Sequence, residues 1–97
     1  MLIKELSSPE AELRYEAAGA CGELEEEDAV PQLISLVDDF DADVQMTAIR
    51  ALGKINNEEA REFLQECLEN ENELVRETTE QLLSEMASLE DPLSFRL

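Results

Sequence analysis

Apolar and polar residues follow one another along this chain at helical spacing, and the same pattern returns every 31 residues. Each return carries an aliphatic residue followed by a polar one and, in two of the three units, a tract of small or aliphatic residues that ends in glycine. The matching strings are Leu13-Arg14, Val44-Gln45 and Val75-Arg76, and then Ala20-Cys21-Gly22 and Ala51-Leu52-Gly53. A fixed period of this size indicates stacked supersecondary units, each of which buries its apolar face only against its neighbours.

Two helices are predicted in the first complete unit. Ser8 is predicted to be an N-cap before Pro9, and Gly22 stands where that first helix is predicted to stop. A second helix is predicted over Asp28–Asp38, with Pro31 in its first turn, where the missing backbone donor costs nothing. The predicted inward residues are Leu13, Ala17, Ala20, Cys21 and Leu24 on the first helix, and Ala29, Leu33, Ile34, Leu36 and Val37 on the second.

The second unit repeats this arrangement. Its helices are predicted over Ala42–Gly53 and Glu58–Glu69, with Asn56-Asn57 between them as turn and cap. The third unit begins at Asn72 and has a single predicted helix that runs to about Ser88. The predicted inward residues of the second unit are Val44, Ala48, Ala51, Leu52, Ile55, Ala60, Phe63, Leu64, Cys67 and Leu68.

These units predict an all-α fold, an α-solenoid of stacked antiparallel helix pairs with about 2.5 to 3 repeats. One domain is expected over residues 1–90, and residues 91–97 form a tail that either docks on the last helix or is disordered. Within the domain we expect a half repeat at 1–8, repeats at 9–39 and 40–70, and a terminal half repeat at 71–90. Because both end units lack one helix, we expect a fragment of a longer array rather than an array closed by imperfect caps.

The repeated strings resemble HEAT repeats, in the short variety shared with phycobilisome lyases. The resemblance rests on residues 8–22, 41–53 and 72–76, and it extends from about residue 2 to residue 88. It implies an antiparallel helix pair per repeat, a right-handed superhelix and a concave face lined by the second helices. Gln45 stands where an Arg is usual in this family, so a ladder of stacked Asp and Arg residues is expected to be complete at most in the flanking units.

Charge narrows the choice of partner. The chain has 25 Asp and Glu residues against 7 Lys and Arg, which gives a formal net charge of -18. This balance argues against nucleic acid, because phosphate binding requires a footprint of Lys and Arg, and it argues equally against an anionic membrane surface. We therefore expect the partner to be another protein that makes contact through a basic segment.

Acidic residues concentrate on the predicted second helices. The residues predicted to bind the partner are Asp28, Gln32, Ser35 and Asp38 in one unit and Glu59, Glu62, Glu66 and Glu69 in the next. They predict an acidic groove for a cationic segment. The same acidity is also consistent with a solvated face that keeps the module soluble, or with a surface adapted to high salt.

The residue types in the chain argue against catalysis. The absence of histidine removes His general bases, His-paired nucleophiles and the usual zinc sites. Cys21 and Cys67 fall at apolar helical positions, which predicts core residues of a protein in a reducing compartment, the cytoplasm. The string 39–43 imitates the start of a calcium loop, but Val44 and Arg50 stand where such a loop needs Gly and Glu. No catalytic residue, metal or cofactor is expected.

Two functions of different classes follow. The first is a non-enzymatic scaffold for protein-protein interaction, which presents an acidic second-helix face to its partner. The alternative is a subunit of a chromophore lyase or a related chaperone, which would hold a linear tetrapyrrole or a client subunit. Only the resemblance to lyase-type repeats suggests this alternative.

The net charge of -18 predicts that stability depends on salt. Self-repulsion destabilises the compact state most at low ionic strength, so the melting temperature should rise when moderate NaCl is added. Thermal unfolding followed by circular dichroism checks this. A melting temperature that stays flat from low to physiological salt would show that the acids are better compensated than the composition indicates.

Overall fold

The computed structural model describes residues 2–90 of the chain, and all regular secondary structure in this range is helical. Residue 1 and the predicted tail 91–97 lie outside the described residues. Among the described helices, none combines the length and the apolar character needed to cross a membrane. The helices are Leu2–Glu5 (α1), Ala11–Glu23 (α2), Val30–Leu36 (α3), Ala42–Ile55 (α4), Glu58–Cys67 (α5) and Glu73–Glu90 (α6), with a 3₁₀ turn at Glu27–Ala29 before α3.

The helices pack in two layers. The long helices α2, α4 and α6 form the first layer, and α4 lies in the middle with α2 and α6 packed against it. Helices α3 and α5 pack on α4 and on each other to form the second layer, while α1 packs on α2. This confirms the all-α fold of repeated helix pairs that the periodicity predicts.

The core lies between the layers and is aliphatic. Leu52 of α4, Leu33 of α3 and Leu64 of α5 are fully buried, and Val44 and Val75 fill positions one period apart. Helix α4 has neighbours on both sides within its layer and α3 and α5 on its inner side. Eight of its 14 residues are therefore buried, against four of the 13 residues of α2. The repeated aliphatic positions therefore form one continuous core.

Glycine does not end the first-layer helices where the sequence predicts. Both α2 and α4 run past Gly22 and Gly53, and the left-handed residues that end them are Glu25 and Asn56, each with a φ of 51°. Asn adopts this conformation more readily than most residues. Leu24, predicted to point inward, lies in the first of these turns and is 63% exposed.

The two glycines instead lie where first-layer helices approach closely. A Cβ atom at Gly22 would lie 2.8 Å from the Cα atom of Ala51, and one at Gly53 would lie 2.7 Å from Cδ2 of Leu82. Both distances are shorter than carbon atoms tolerate, so neither position has room for a side chain without movement of the neighbour. The absence of a side chain at these two positions thus allows close contact between the helices.

The helix starts agree with the prediction in the second unit and differ in the first. Asn57 caps α5, since its Oδ1 accepts the Ala60 N–H at 2.9 Å. Ser8 does not cap α2. Its Oγ accepts the Glu10 N–H at 3.1 Å, in the turn before the helix, and Glu10 is the N-cap residue. The first helix therefore begins later than Pro9, the predicted first helical position.

The second-layer helices are shorter than predicted at their C-terminal ends. Helix α3 ends at Leu36 and α5 at Cys67, two residues before the predicted ends in both units. The chain then continues in tighter turns, where the Asp39 N–H donates to Leu36 O at 3.0 Å and the Asn70 N–H donates to Cys67 O at 3.1 Å. Bonds of this i to i−3 type commonly close the last turn of a helix.

Helix α6 lacks the turn that ends α2 and α4. The position one period after Glu25 and Asn56 is Ala87, a strong helix former, and α6 continues through it to Glu90. The predicted end at about Ser88 is close to this boundary. Leu82 and Leu83 of α6 pack against the core but stay only partly buried.

The three glycines give a graded test of helix approach. Gly22→Ala should lower the free energy of unfolding by about 1–3 kcal/mol, because its Cβ meets the α4 backbone, which cannot move aside. Gly53→Ala should lower the free energy of unfolding by less, because the Leu82 side chain can rotate. Gly19→Ala is the control: its Cβ would lie 3.8 Å from Thr47 Cγ2, an ordinary contact.

For Gly19→Ala only helix propensity changes, so the free energy of unfolding should rise by about 0.5–1 kcal/mol. Urea unfolding of the three variants measures the series. A Gly22→Ala variant as stable as the parent chain would contradict the close approach of α2 and α4.

Candidate functional site

The residues predicted to bind a partner lie along α3 and α5 and the turns beside them. All are exposed except Gln32, which is half-buried. Because α3 and α5 pack against each other, these residues occupy neighbouring stretches of the second layer. We call this set the acidic surface: Asp28, Gln32, Ser35, Asp38, Glu59, Glu62, Glu66 and Glu69.

Negative charge is densest on the α5 half of the acidic surface. Its four glutamates follow one another at intervals of three or four residues, which places them on one side of the helix and its last turn. In the α3 half, Asp28 and Asp38 lie at the two ends, with Gln32 and Ser35 between them. The Ser35 Oγ donates locally to Pro31 O at 3.5 Å.

The ion pairs of the described residues do not involve the acidic surface. They join Arg14 to Asp39 and Lys54 to Glu23. Within residues 2–90, the carboxylates of the acidic surface therefore have no cation partner and are open to solvent.

Arg14 joins the first helix of the first complete unit to the end of the same unit, in the turn before α4. Its Nε and Nη2 donate to the two carboxylate oxygens of Asp39 at 2.7 and 3.0 Å, and its Nη1 donates to Ser8 O at 2.9 Å. The two side chains are 15% and 7% exposed. A shielded bidentate pair of this kind is among the stronger polar contacts in proteins.

The ladder of Asp and Arg implied by the family resemblance is interrupted where expected. Gln45 takes the place of Arg14 in the second unit, and its Nε2 donates to Val37 O at 2.9 Å instead. In the third unit, Arg76 Nη1 donates to Asn70 O at 2.7 Å, and the guanidinium makes no ion pair within the described residues. Among described residues the charged rung is therefore confined to the first unit.

The pKa of the Asp39 carboxyl is held below its usual range. Burial alone would raise this pKa, but the hydrogen bond from Arg14 and the backbone N–H groups of Asp41 and Phe40 outweigh burial. The hydrogen bond to Asp39 in turn raises the pKa of Arg14. The pair therefore stays ionised under more acidic conditions than an isolated carboxylate would.

The calcium-like string at 39–43 forms a turn and a helix cap. Asp39 Oδ1 accepts the Asp41 N–H at 2.9 Å, and Asp41 Oδ1 accepts the N–H groups of Asp43 and Val44 at 2.8 and 3.1 Å. These carboxylates satisfy backbone donors at the start of α4. In the described part of the chain, no group of three or more His, Cys, Asp or Glu residues is placed to hold a metal ion.

Both cysteines lie in the core, as their apolar spacing predicts. Cys21 and Cys67 are buried and unpaired. Burial raises the pKa of both thiols, and that of Cys67 reaches about 11. The thiols are therefore protonated at neutral pH and are poor nucleophiles.

A cavity of about 530 Å³ lies on the first layer, between α2, α4 and α6, and the predicted binding residues do not include it. We call it the first-helix groove. The feature of the sequence that could have indicated this groove is the presence of small residues on two first-layer helices, together with an aromatic residue and a cation. The lining residues that define it are Tyr15, Gly19, Ala20, Arg50, Ala51 and Leu82.

Comparison with known families matches this architecture. The family described as HEAT repeats matches residues 1–84, which include the acidic surface and most of the first-helix groove. No curated protein matches the chain.

Asp39→Asn tests the Arg14 pair through its pH dependence. A carboxylate with a lowered folded-state pKa stabilises the fold above its unfolded pKa, and this stabilisation is lost as the pH falls through the folded-state pKa. An asparagine at position 39 still provides an oxygen that can accept the N–H group of the turn, as Asn70 Oδ1 accepts the Asn72 N–H at 2.8 Å. It carries no charge, however.

At neutral pH we expect Asp39→Asn to be less stable than the parent by about 1–3 kcal/mol. The difference in the free energy of unfolding between the two proteins should shrink below pH 3.8, the ordinary pKa of an Asp carboxyl. Urea unfolding across this range measures it, with the exposed Asp38→Asn as control. A gap that does not change between neutral and acidic pH would contradict the ionic origin of the stabilisation.

Proposed function

The chain belongs to the HEAT-repeat family, and from that membership we propose that it is a scaffold that binds a basic segment of a partner protein. HEAT repeats generally mediate protein-protein interaction, and the family is typically non-enzymatic. We place the contact on the acidic surface and the protein in the cytoplasm. The units proposed to carry that surface are the repeats 9–39 and 40–70.

The observation that supports this proposal is the row of exposed glutamates on α5 and in the turn after it, which have no cation partners among the described residues. Like charges three or four residues apart on a helix repel one another. A Lys or Arg side chain of a partner would replace this repulsion by attraction. The wider negative field would also raise the rate at which a basic segment is captured.

A matched pair of variants separates a binding surface from acidity that serves only solubility or salt tolerance. The first variant carries Glu59→Gln, Glu62→Gln, Glu66→Gln and Glu69→Gln. The control neutralises as many exposed glutamates on first-layer helices, so both have the same net charge. It carries Glu12→Gln, Glu73→Gln, Glu77→Gln and Glu80→Gln.

Fluorescence anisotropy with a labelled lysine-rich peptide measures the difference. At physiological salt, where charges more than about 8 Å apart are largely screened, we expect the first variant to lose about tenfold in affinity and the control to lose far less. Affinity capture from the source cells should retain a protein with the parent and the control, and lose it with the first variant. Equal losses in both variants would assign the acidity to the general charge of the surface.

The alternative function, a chromophore lyase subunit or related chaperone, stays a prediction. Titration with a linear tetrapyrrole followed by visible absorption tests it. A scaffold of the proposed kind leaves the spectrum of the free pigment unchanged, whereas a shifted absorption band would favour the alternative.

A further inference from the structure

We propose that the first-helix groove is a second docking surface, which binds the apolar side of an amphipathic partner helix and pairs one carboxylate of that helix with Arg50. The groove lies on the layer opposite the acidic surface. The proposal therefore does not depend on the acidic surface binding anything.

The groove exists because equivalent positions of successive units differ in size. Equivalent positions, one period apart, hold Ala20, Ala51 and Leu82. The two alanines leave space open, and the Leu82 side chain closes that space on the α6 side. Gly19 adds further room beside α4. At about 530 Å³ the cavity lies within the usual size range of ligand-binding clefts in proteins.

Tyr15 gives the groove an exposed aromatic side chain. Its side chain is 47% exposed, and the other large apolar residues of comparable exposure, Leu24 and Phe40, do not line the groove. Tyrosine combines a rigid apolar ring with a polar tip and is enriched at the energetic centres of protein interfaces. The groove therefore combines apolar area with an aromatic anchor.

Arg50 sets the chemistry of the occupant. Two cations of α4 line the groove one helical turn apart, and Lys54 already pairs with Glu23. Arg50 is exposed and has no ion pair within residues 2–90. Its planar guanidinium binds a carboxylate through two hydrogen bonds, which an amide or a hydroxyl cannot match.

The other charged residues of the chain limit the occupant to a single carboxylate, opposite Arg50. Glu16 and Glu85 also line the groove, and the chain carries a net charge of -18. A partner rich in acidic residues would be repelled at long range. The groove therefore fits an apolar helix of low net charge, with one acidic residue opposite Arg50.

The walls of the groove favour a helix over an extended strand. They are helices, whose backbone N–H and C=O groups are already paired along α2 and α4. An extended strand would find no edge to pair with and would leave its own backbone groups unsatisfied. A helix satisfies its backbone internally and inserts side chains spaced three or four residues apart.

Two peptides test the proposal by fluorescence anisotropy with the full chain. Both are fluorescein-labelled, with blocked ends, and consist of about 15 residues of alanine and glutamine with leucines on one side of the helix. One carries a single glutamate among the leucines, and the other carries lysine at that position. We expect the glutamate peptide to bind at least about fivefold more tightly, despite the negative charge of the chain, because only it pairs with Arg50.

Arg50→Glu should reverse this preference, while Lys4→Glu, with the same charge change on an exposed residue of α1, should leave it intact. Gly19→Leu should weaken both peptides by filling the groove, and its circular dichroism spectrum checks that it is folded. The fourfold glutamine variant of the acidic surface should bind both peptides as the parent does, which keeps the two surfaces separable.

Three results would overturn the proposal. The first is failure of the glutamate peptide to bind the parent chain. The second is an unchanged preference in Arg50→Glu. The third is a dimer of the parent chain, seen by sedimentation, that Gly19→Leu abolishes, because this would make a second copy the occupant.

Discussion

The contact between α2 and α4 fixes the geometry on which the rest of the first layer depends. Gly22 lies against the backbone at Ala51, so the two helices are closer there than any larger side chain would allow. This approach lets α4 bury residues toward both of its neighbours and places the aliphatic positions of successive units in one core. Since no unit covers its own apolar face, the fold is a property of the stack rather than of any single helix pair.

The same stacking separates the charges of the chain into two environments. On the first layer, Lys54 pairs with Glu23 across α2 and α4, and Arg14 reaches the turn before α4 to pair with Asp39. On the second layer, the described carboxylates of the acidic surface have no such partners. The acidic surface thus offers negative charge whose attraction salt weakens, and the first-helix groove offers apolar area beside Arg50, where binding depends on burial. Because one surface attracts through charge and the other through apolar burial, the two suit different partners.

Prediction from the sequence succeeded where a residue's role depends on its own helix. The period, the helix pairs, the buried aliphatic positions and the Asn57 cap all follow from local spacing and side-chain chemistry. Prediction failed where glycine has two possible roles. The sequence pattern predicts helix ends at Gly22 and Gly53, yet both lie inside helices at close contacts, and Glu25 and Asn56 make the left-handed turns. A glycine favours both a turn and a close approach, and only its neighbour across the layer distinguishes them.

The fold class, the repeat, the aliphatic core and the strongly negative charge all follow from the amino-acid sequence alone, because they depend on spacing within a helix and on composition. The packing of the helices sets which carboxylates are paired and leaves Leu24 exposed. It also leaves a groove at the small residues Gly19, Ala20 and Ala51, beside an Arg50 that makes no ion pair within residues 2–90. These features join residues from different units, and their distances depend on how closely two helices pack. Helical periodicity predicts which side of a helix faces inward, but it does not predict which residue of the neighbouring helix lies opposite that side.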